Sequence, residues 1–420
     1  MKGKISKKSL STVALLSFMV LTEQVFYLIN AKTFKIGPFN YAMIWFALFV
    51  LFCVYEFASY GMMRKLDKSY FLSDVLGLFG ITLISAVQCN IITGQPVGMG
   101  LMPQRNYVCI VLSYVVIRKL IVDNKIDVKQ FFRGLIWLGV IALGIYVLQM
   151  VLFDRIQFVH SSIGKRTHRL YVDSVFCVLI GMIGFDSFLK KNQPRYLLFV
   201  VGTLIYEFFV SKGRLEVVAF IVSGVIVVLL MQKLSLKKMG LLTIICIALI
   251  AFLSSSYAER FYEAIRIFNS TDDVNTMAIR HLARERFSEL LNTNFLTQVF
   301  GCGYPNIDYA PAASMIGYSE RMGLVDNGVF AFHYVYGLIG LIVLIKWFVK
   351  LYACAWKIYT KTEKSIYLMF MIFSTIISYN ITFWWHKPAW TLWMVIMMGL
   401  MEYEIGRINN GGLYEQEGLD

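Results

Sequence analysis

Apolar residues run through this chain in long stretches, and polar residues collect in short clusters between them. A helix needs about 20 mostly apolar residues to cross a bilayer. Twelve stretches fit that measure: residues 10–29, 41–60, 71–92, 106–122, 131–153, 170–189, 195–210, 215–231, 239–256, 326–345, 365–383 and 388–405. Lipid offers no partner to backbone N–H and C=O groups, so such stretches read as helices. The pattern predicts an all-α polytopic membrane protein with about 12 transmembrane helices, in a single integral membrane domain over residues 1–420. The seventh and eighth stretches are short and nearly abut, so one interrupted hairpin fits them as well. The first stretch follows four lysines, has no small-residue cleavage site after it, and carries Glu23 and Gln24 near its end. It reads as an uncleaved first span rather than a removed signal.

The sizeable polar interval is 257–325, which predicts one large external loop. Its first half, YAERFYEAIRIFNSTDDVNTMAIRHLARERFSELLN, spaces apolar residues as a helix does. Ser270, Thr271 or Asp272 would cap the helix that follows. Its second half, GCGYPNIDYAPAASMIGYSE, is rich in Gly and Pro and predicts irregular structure.

Composition agrees with the pattern. The 420 residues are 58% hydrophobic and 16% charged, with a mean hydropathy of +0.64. The net charge of +14 does not point to nucleic acid, because most basic residues lie in short clusters between apolar runs. There they orient a membrane protein. With the N-terminus in the cytoplasm and the spans alternating, 24 of the 40 Lys and Arg residues fall on the cytoplasmic side. Of the other 16, six lie in the long loop, where the bias carries little weight. The even span count puts the C-terminus inside too. The same topology places all five histidines, His160, His168, His281, His333 and His386, at the outer face. The seven cysteines are scattered without metal or CxxC spacing, so neither a zinc site nor a disulfide framework is expected. Glycine-rich dinucleotide or phosphate loops, HExxH and GxSxG are absent from the sequence.

Four outer-face segments carry candidate chemistry. SKGR at 211–214 sets Lys212 and Arg214 at a span junction, which suits either an anion site or snorkelling to headgroups. KRTHR at 165–169, with Arg166 and Arg169, is a dense basic turn that suits phosphate binding or plain solvation. In the long loop Arg280 and Arg284 lie four apart, and His281 and Arg284 three apart, so a helix makes each pair neighbours. Like charges at that spacing repel unless an anion lies between them. Glu285 and Glu289 could neutralise part of that charge. Finally, DNGVFAFHYVYGLIGL at 326–341 opens a span with Asp326 and Asn327 and carries His333 two turns below. Asp326 fits a helix N-cap, and it also fits the mouth of a polar cleft, since polar groups in a span usually face a functional path. Gly337 and Gly340 would let another helix approach closely.

These segments together resemble the O-antigen and capsular polysaccharide polymerases and the superfamily they share with the O-antigen ligases. SKGR is similar to the family's Ser-x-x-Arg turn. Arg280 followed by RFSELLNTNFLTQVFGCGYPN is similar to its run from a loop arginine to a Gly-x-Gly-aromatic segment. DNGVFAFHYVYGLIGL is similar to its polar pair entering a span, and RTHRLYVDSVF to an arginine-bearing segment in mid-chain. Related ligases often carry His-Asn where this chain has Asp326-Asn327. The resemblance implies a GT-C-like membrane glycosyltransferase at the outer face of the bacterial cytoplasmic membrane. The donor would be a glycan on undecaprenyl pyrophosphate, and the acceptor a sugar hydroxyl of the next lipid-linked repeat unit. A flippase and a chain-length regulator would be its protein partners beside the lipid bilayer. Arg214, Arg280 and Arg284, with Lys212, would hold the pyrophosphate without a metal or other cofactor, and Arg166 and Arg169 would extend that surface. Asp326 is the first candidate to orient and deprotonate the acceptor, His281 the second, with Asn327 and His333 in support. Tyr304, Tyr309, Tyr318, Trp384 and Trp385 could stack on sugars or anchor at the interface. A ligase and a lipid-glycan flippase or transporter are the alternatives.

Overall fold

A computed structural model describes residues 7–31, 33–59, 69–152, 155–161, 163–164, 169–211, 214–230, 240, 243, 247, 276–317, 322–380, 385 and 387–409. The described chain is almost entirely helical. Helices α1 (Lys7–Thr22) and α2 (Gln24–Tyr27) come from the first apolar stretch, which bends at Glu23. A two-residue hairpin, β1 (Lys35–Ile36) with β2 (Phe39–Asn40), leads into α3 (Tyr41–Ser59). Then follow α4 (Leu72–Thr93), α5 (Val97–Leu101), α6 (Arg105–Leu112), α7 (Tyr114–Val122) and α8 (Val128–Val151). A second hairpin, β3 (Ile163–Gly164) with β4 (Arg169–Leu170), precedes α9 (Val175–Lys191). Helix α10 (Leu197–Ile205) runs on through a π turn, Tyr206–Ser211, and α11 (Arg214–Leu229) follows. The last third holds α12 (Thr276–Leu291), α13 (Phe295–Phe300), α14 (Ala310–Met315), α15 (Gly328–Thr362), α16 (Ile366–Asn380) and α17 (Pro388–Asn409).

Among the described residues, five helical segments are long and apolar enough to cross a membrane: Tyr41–Ser59, Leu72–Thr93, Val128–Val151, Pro194–Ser211 and Val325–Thr362. The fourth apolar stretch is not one helix, because Ser113 turns its hydroxyl back to the Ile110 carbonyl where α6 gives way to α7. The seventh and eighth are not a closed hairpin, since α10 packs on α9 whereas α11 packs on α16. The ninth, 239–256, lies outside the described residues apart from three isolated positions, and so does most of the first half of the long loop. Helix α17 is the axis of the bundle. Every residue from Ala389 to Met401 is buried, against α7, α15 and α6. An apolar helix enclosed on all sides is a core element whatever its solvent.

The tenth stretch departs most from expectation. Its helix does not end near residue 345 but runs to Thr362, and it breaks at Gly337, where φ is +62° and ψ is −162°. The break is sharp enough to fold the helix back over its neighbour. Gly328 lies against Ser378, while the Tyr352 hydroxyl reaches Thr375 at 2.7 Å. A straight helix would separate residues 328 and 352 by about 36 Å, yet their partners on α16 are about 4.5 Å apart along its axis. The two arms of α15 therefore form an elbow.

The segment after α13 fills the break. A kink at Gly337 strands the carbonyls of Tyr334 and Val335, and a buried unpaired carbonyl is costly. The Cys302 amide donates to Tyr334 at 2.7 Å and the Gly303 amide to Val335 at 3.1 Å. The backbones approach so closely that a Cβ at Gly337 would sit 2.3 Å from the Gly301 nitrogen, and one at Gly303 2.2 Å from the Ser85 carbonyl oxygen. Gln95 completes the seat: its amide donates to the Tyr304 carbonyl at 3.0 Å and accepts from the Asn306 backbone at 2.7 Å. Residues 301–306 are all buried, so this irregular half of the expected external loop begins inside the helix bundle.

Candidate functional site

Helix α12 carries the loop arginines, and its packing decides where they point. Ala283, Phe287 and Leu291 form a buried stripe, and Phe287 stacks on Tyr334 of α15 with ring centroids 4.6 Å apart. At about 100° per residue, Arg280 and Arg284 fall along one edge of that stripe, and His281 lies further round on the same side, about 60° beyond Arg284. Arg280 Nη2 lies 3.2 Å from Asp326 Oδ1. Arg284 Nη2 donates to Asn380 Oδ1 at 2.8 Å, and its guanidinium lies 4.4 Å from the centroid of the Phe330 ring. The expected neighbourhood of Arg280, Arg284, Asp326 and Asn327 is thus assembled from three elements far apart in sequence.

Two expectations change here. Asp326 is not the helix N-cap. It sits in a single 3₁₀ turn, Val325–Asn327, with φ −93° and ψ 15°, and Asn327 holds the cap position without a side-chain cap bond. Backbone geometry turns the carboxylate toward α12 instead. His281 turns to a neighbour on its own helix: its Nδ1 is 3.2 Å from Glu285, and more than half of the imidazole is exposed. His333 is half-buried on the short arm of α15, which starts two residues after Asp326, so the two do not stack on one continuous helix face.

The cluster is rich in unspent donors. The Nε atoms of Arg280 and Arg284 are buried without a hydrogen-bond partner, as are Asn327 Oδ1 and Ser378 Oγ. Asn327 does hold its own turn, its Nδ2 donating to the Gly323 carbonyl at 2.8 Å. Partial burial, with the Arg280 charge adding to it, pulls the Arg284 guanidinium below its ordinary pKa.

Below this cluster lies an apolar cavity of about 320 Å³ in the elbow of α15. Gly328, Phe332, Leu344, Phe348, Tyr352 and Tyr379 line it, with Ser378 and Trp385. Its volume is in the range of small-molecule sites. Its upper lip is continuous with the cluster, since Gly328 follows Asn327 and Tyr379 precedes the Asn380 that holds Arg284. Sequence reasoning missed this cavity because nothing in an apolar run announces a break. Gly337 was the available signal: read there as a close helix contact, it meets the C-terminal end of α13 at Val299 and Gly301, and it also carries the break.

The remaining expected residues are less directly placed. Arg166 and Lys212 lie outside the described residues, and Arg169 and Arg214 are described by backbone alone. Strand β4 packs against the π turn, which brings the segments bearing Arg169 and Arg214 together. Tyr304 and Trp385 are not exposed platforms for sugar: both are buried, and Trp385 Nε1 donates to Tyr336 Oη at 2.9 Å, which in turn donates to Gln104 at 2.6 Å. Tyr309 is half-buried, and Tyr318 and Trp384 lie outside the described residues. Among the described residues no group of His, Cys, Asp and Glu has the geometry of a metal site. An unforeseen carboxylate also appears: Asp173, just before α9, pairs with Lys387 and accepts from Trp390 Nε1 at 3.3 Å. Compared with known proteins, the chain matches no family model and no curated protein.

Proposed function

We propose that the chain is a membrane-embedded polysaccharide polymerase that joins lipid-linked oligosaccharide repeat units at the outer face of the cytoplasmic membrane. One observation carries this: two guanidiniums with unpaired donors stand at the lip of an apolar cavity and beside a carboxylate. An anion with an apolar chain attached suits such a place, as a polyprenyl pyrophosphate would. The headgroup would meet Arg280 and Arg284, and the chain would lie in the elbow of α15. Arginine is suited to phosphate oxygens because its planar fork binds them in pairs.

The chemistry then follows from charge. The acceptor hydroxyl attacks the donor's anomeric carbon and passes its proton to the Asp326 carboxylate. The anomeric C–O bond breaks, its electron pair stays on the pyrophosphate, and lipid pyrophosphate leaves. Arg280 and Arg284 lower the barrier by stabilising the charge as it grows, and Asp326 acts as general base. Arg214 and Lys212 belong to the same anion surface in this scheme. Twelve spans with both termini in the cytoplasm complete the reading and put the cluster on the outer side.

The test uses the full chain in lipid nanodiscs with a synthetic undecaprenyl-pyrophosphate-linked repeat unit. A ladder of longer glycans is expected. Transfer to a different acceptor without a ladder identifies a ligase. Absence of transfer together with glycan movement across liposomes overturns the enzyme reading.

A further inference from the structure

We propose that Asp326 is a resident counter-anion on Arg280, which the donor's anionic group displaces, so that arrival of the donor frees the carboxylate. This deepens the anion-site reading above and rests on it. Among the described residues, the partner of Arg280 is one oxygen of Asp326, at 3.2 Å. The Arg280 Nε has no hydrogen-bond partner, so the guanidinium fork is only partly used. Arg284 is held by a neutral amide, Asn380, and its Nε is unpaired as well. Two positive charges therefore share one negative charge. The nearby Glu285 and Glu289 are engaged elsewhere, with His281 and Arg286.

The two members of the ion pair are held very differently. The Arg280 side chain is 28% exposed and rooted in α12, whose adjoining apolar stripe is packed on α15. The Asp326 side chain is 57% exposed and sits on a single turn between Gly323 and Gly328. Moving Asp326 into water costs little, since exposed ion pairs are weak, whereas moving Arg280 would disturb a packed helix. A phosphate-type group presents several oxygens and can use both forks at once, which one carboxylate oxygen cannot. Exchange at Arg280 therefore favours the incoming anion and moves Asp326. Before exchange, the guanidinium holds the carboxylate oxygen that would take the acceptor's proton. After it, that oxygen is free beside the bound donor, so donor binding precedes acceptor activation.

The probe is inorganic pyrophosphate, titrated calorimetrically into the full chain in nanodiscs. Asp326→Asn should bind it about fivefold more tightly than wild type, the factor available from a partly exposed ion pair. In an Arg280→Gln background the same substitution should change nothing. Asp326→Ser should repeat the tightening and guard against an effect peculiar to the amide. Equal or weaker binding by Asp326→Asn overturns the exchange alone. Tightening that persists without Arg280 also overturns it, because repulsion at a distance would then be the cause. Failure of wild type and all variants to bind pyrophosphate overturns the anion site itself, and the exchange with it.

Discussion

Arg280 and Arg284 do little for the fold that a neutral side chain could not do. Each leaves a buried Nε–H without a partner, and such a group costs about 1–3 kcal/mol. A residue kept at that cost is better explained by what it binds than by what it stabilises. Replacing either with Gln should leave the thermal midpoint near wild type but lower single-turnover glycan transfer by about 100-fold, the scale of losing one preorganised donor. Arg284→Lys should behave almost as badly. Lysine keeps the charge but lacks the planar group that lies on Phe330. Transfer rates measured alongside melting curves separate the two effects. That these two arginines share one side of a helix was legible in the sequence from their i, i+4 spacing. The orientation of His281 was less legible, because Arg284 and Glu285 both lie within reach of it on the helix, and its side chain meets Glu285.

Among the elements, the junction of α15 with the segment 301–306 bears the most consequence. Gln95 satisfies two buried backbone groups of that segment with one side-chain amide. Gln95→Leu should leave both unpaired and destabilise the seat by about 2–4 kcal/mol, taking two lost bonds at roughly 1–2 kcal/mol each. Hydrogen exchange should then speed up at the Cys302, Gly303 and Asn306 amides more than in α17. Gly337→Ala is expected to be worse, since a Cβ there meets backbone rather than a movable side chain. A lowered melting point with a lost or reshaped elbow cavity would be the outcome, checked by thermal denaturation and by solving the variant's structure. The apolar stretches 41–60, 71–92 and 388–405 match α3, α4 and α17 closely, because length and hydropathy define such helices. The breaks at Ser113 and Gly337 and the π turn at Tyr206–Ser211 were not legible. The break at Gly337 depends on distant partners, the Cys302 and Gly303 amides, which take up the carbonyls it strands.

For the whole molecule, the ion pairs separate the bundle into two ends. Asp74 with Lys346 and Lys350, Arg118 with Glu402, Lys190 with Asp186, and Lys364 with Glu404 join segments that the charge pattern assigns to the cytoplasm. Asp173 with Lys387 and Arg280 with Asp326 join segments it assigns to the outside. Among the described residues no ion pair crosses between these sets. Single cysteines introduced at Ile156 and at Asn192 should therefore differ in intact cells: a membrane-impermeant maleimide should label the first and not the second. The reverse pattern would invert the topology and remove the cluster from the outer face. The filled break in α15 also bears on how the chain is made. Residues 301–306 leave the ribosome before α15 exists, but after α4, α5 and the link between them, which supply Ser85, Met99 and Gln95 as their seat. The segment can thus settle first and present two amides to a helix still being synthesised. On that order of events, α15 does not kink and then get repaired. It is cast against a mould already in place, and a chain stopped before Tyr334 would hold the mould open with its donors unspent.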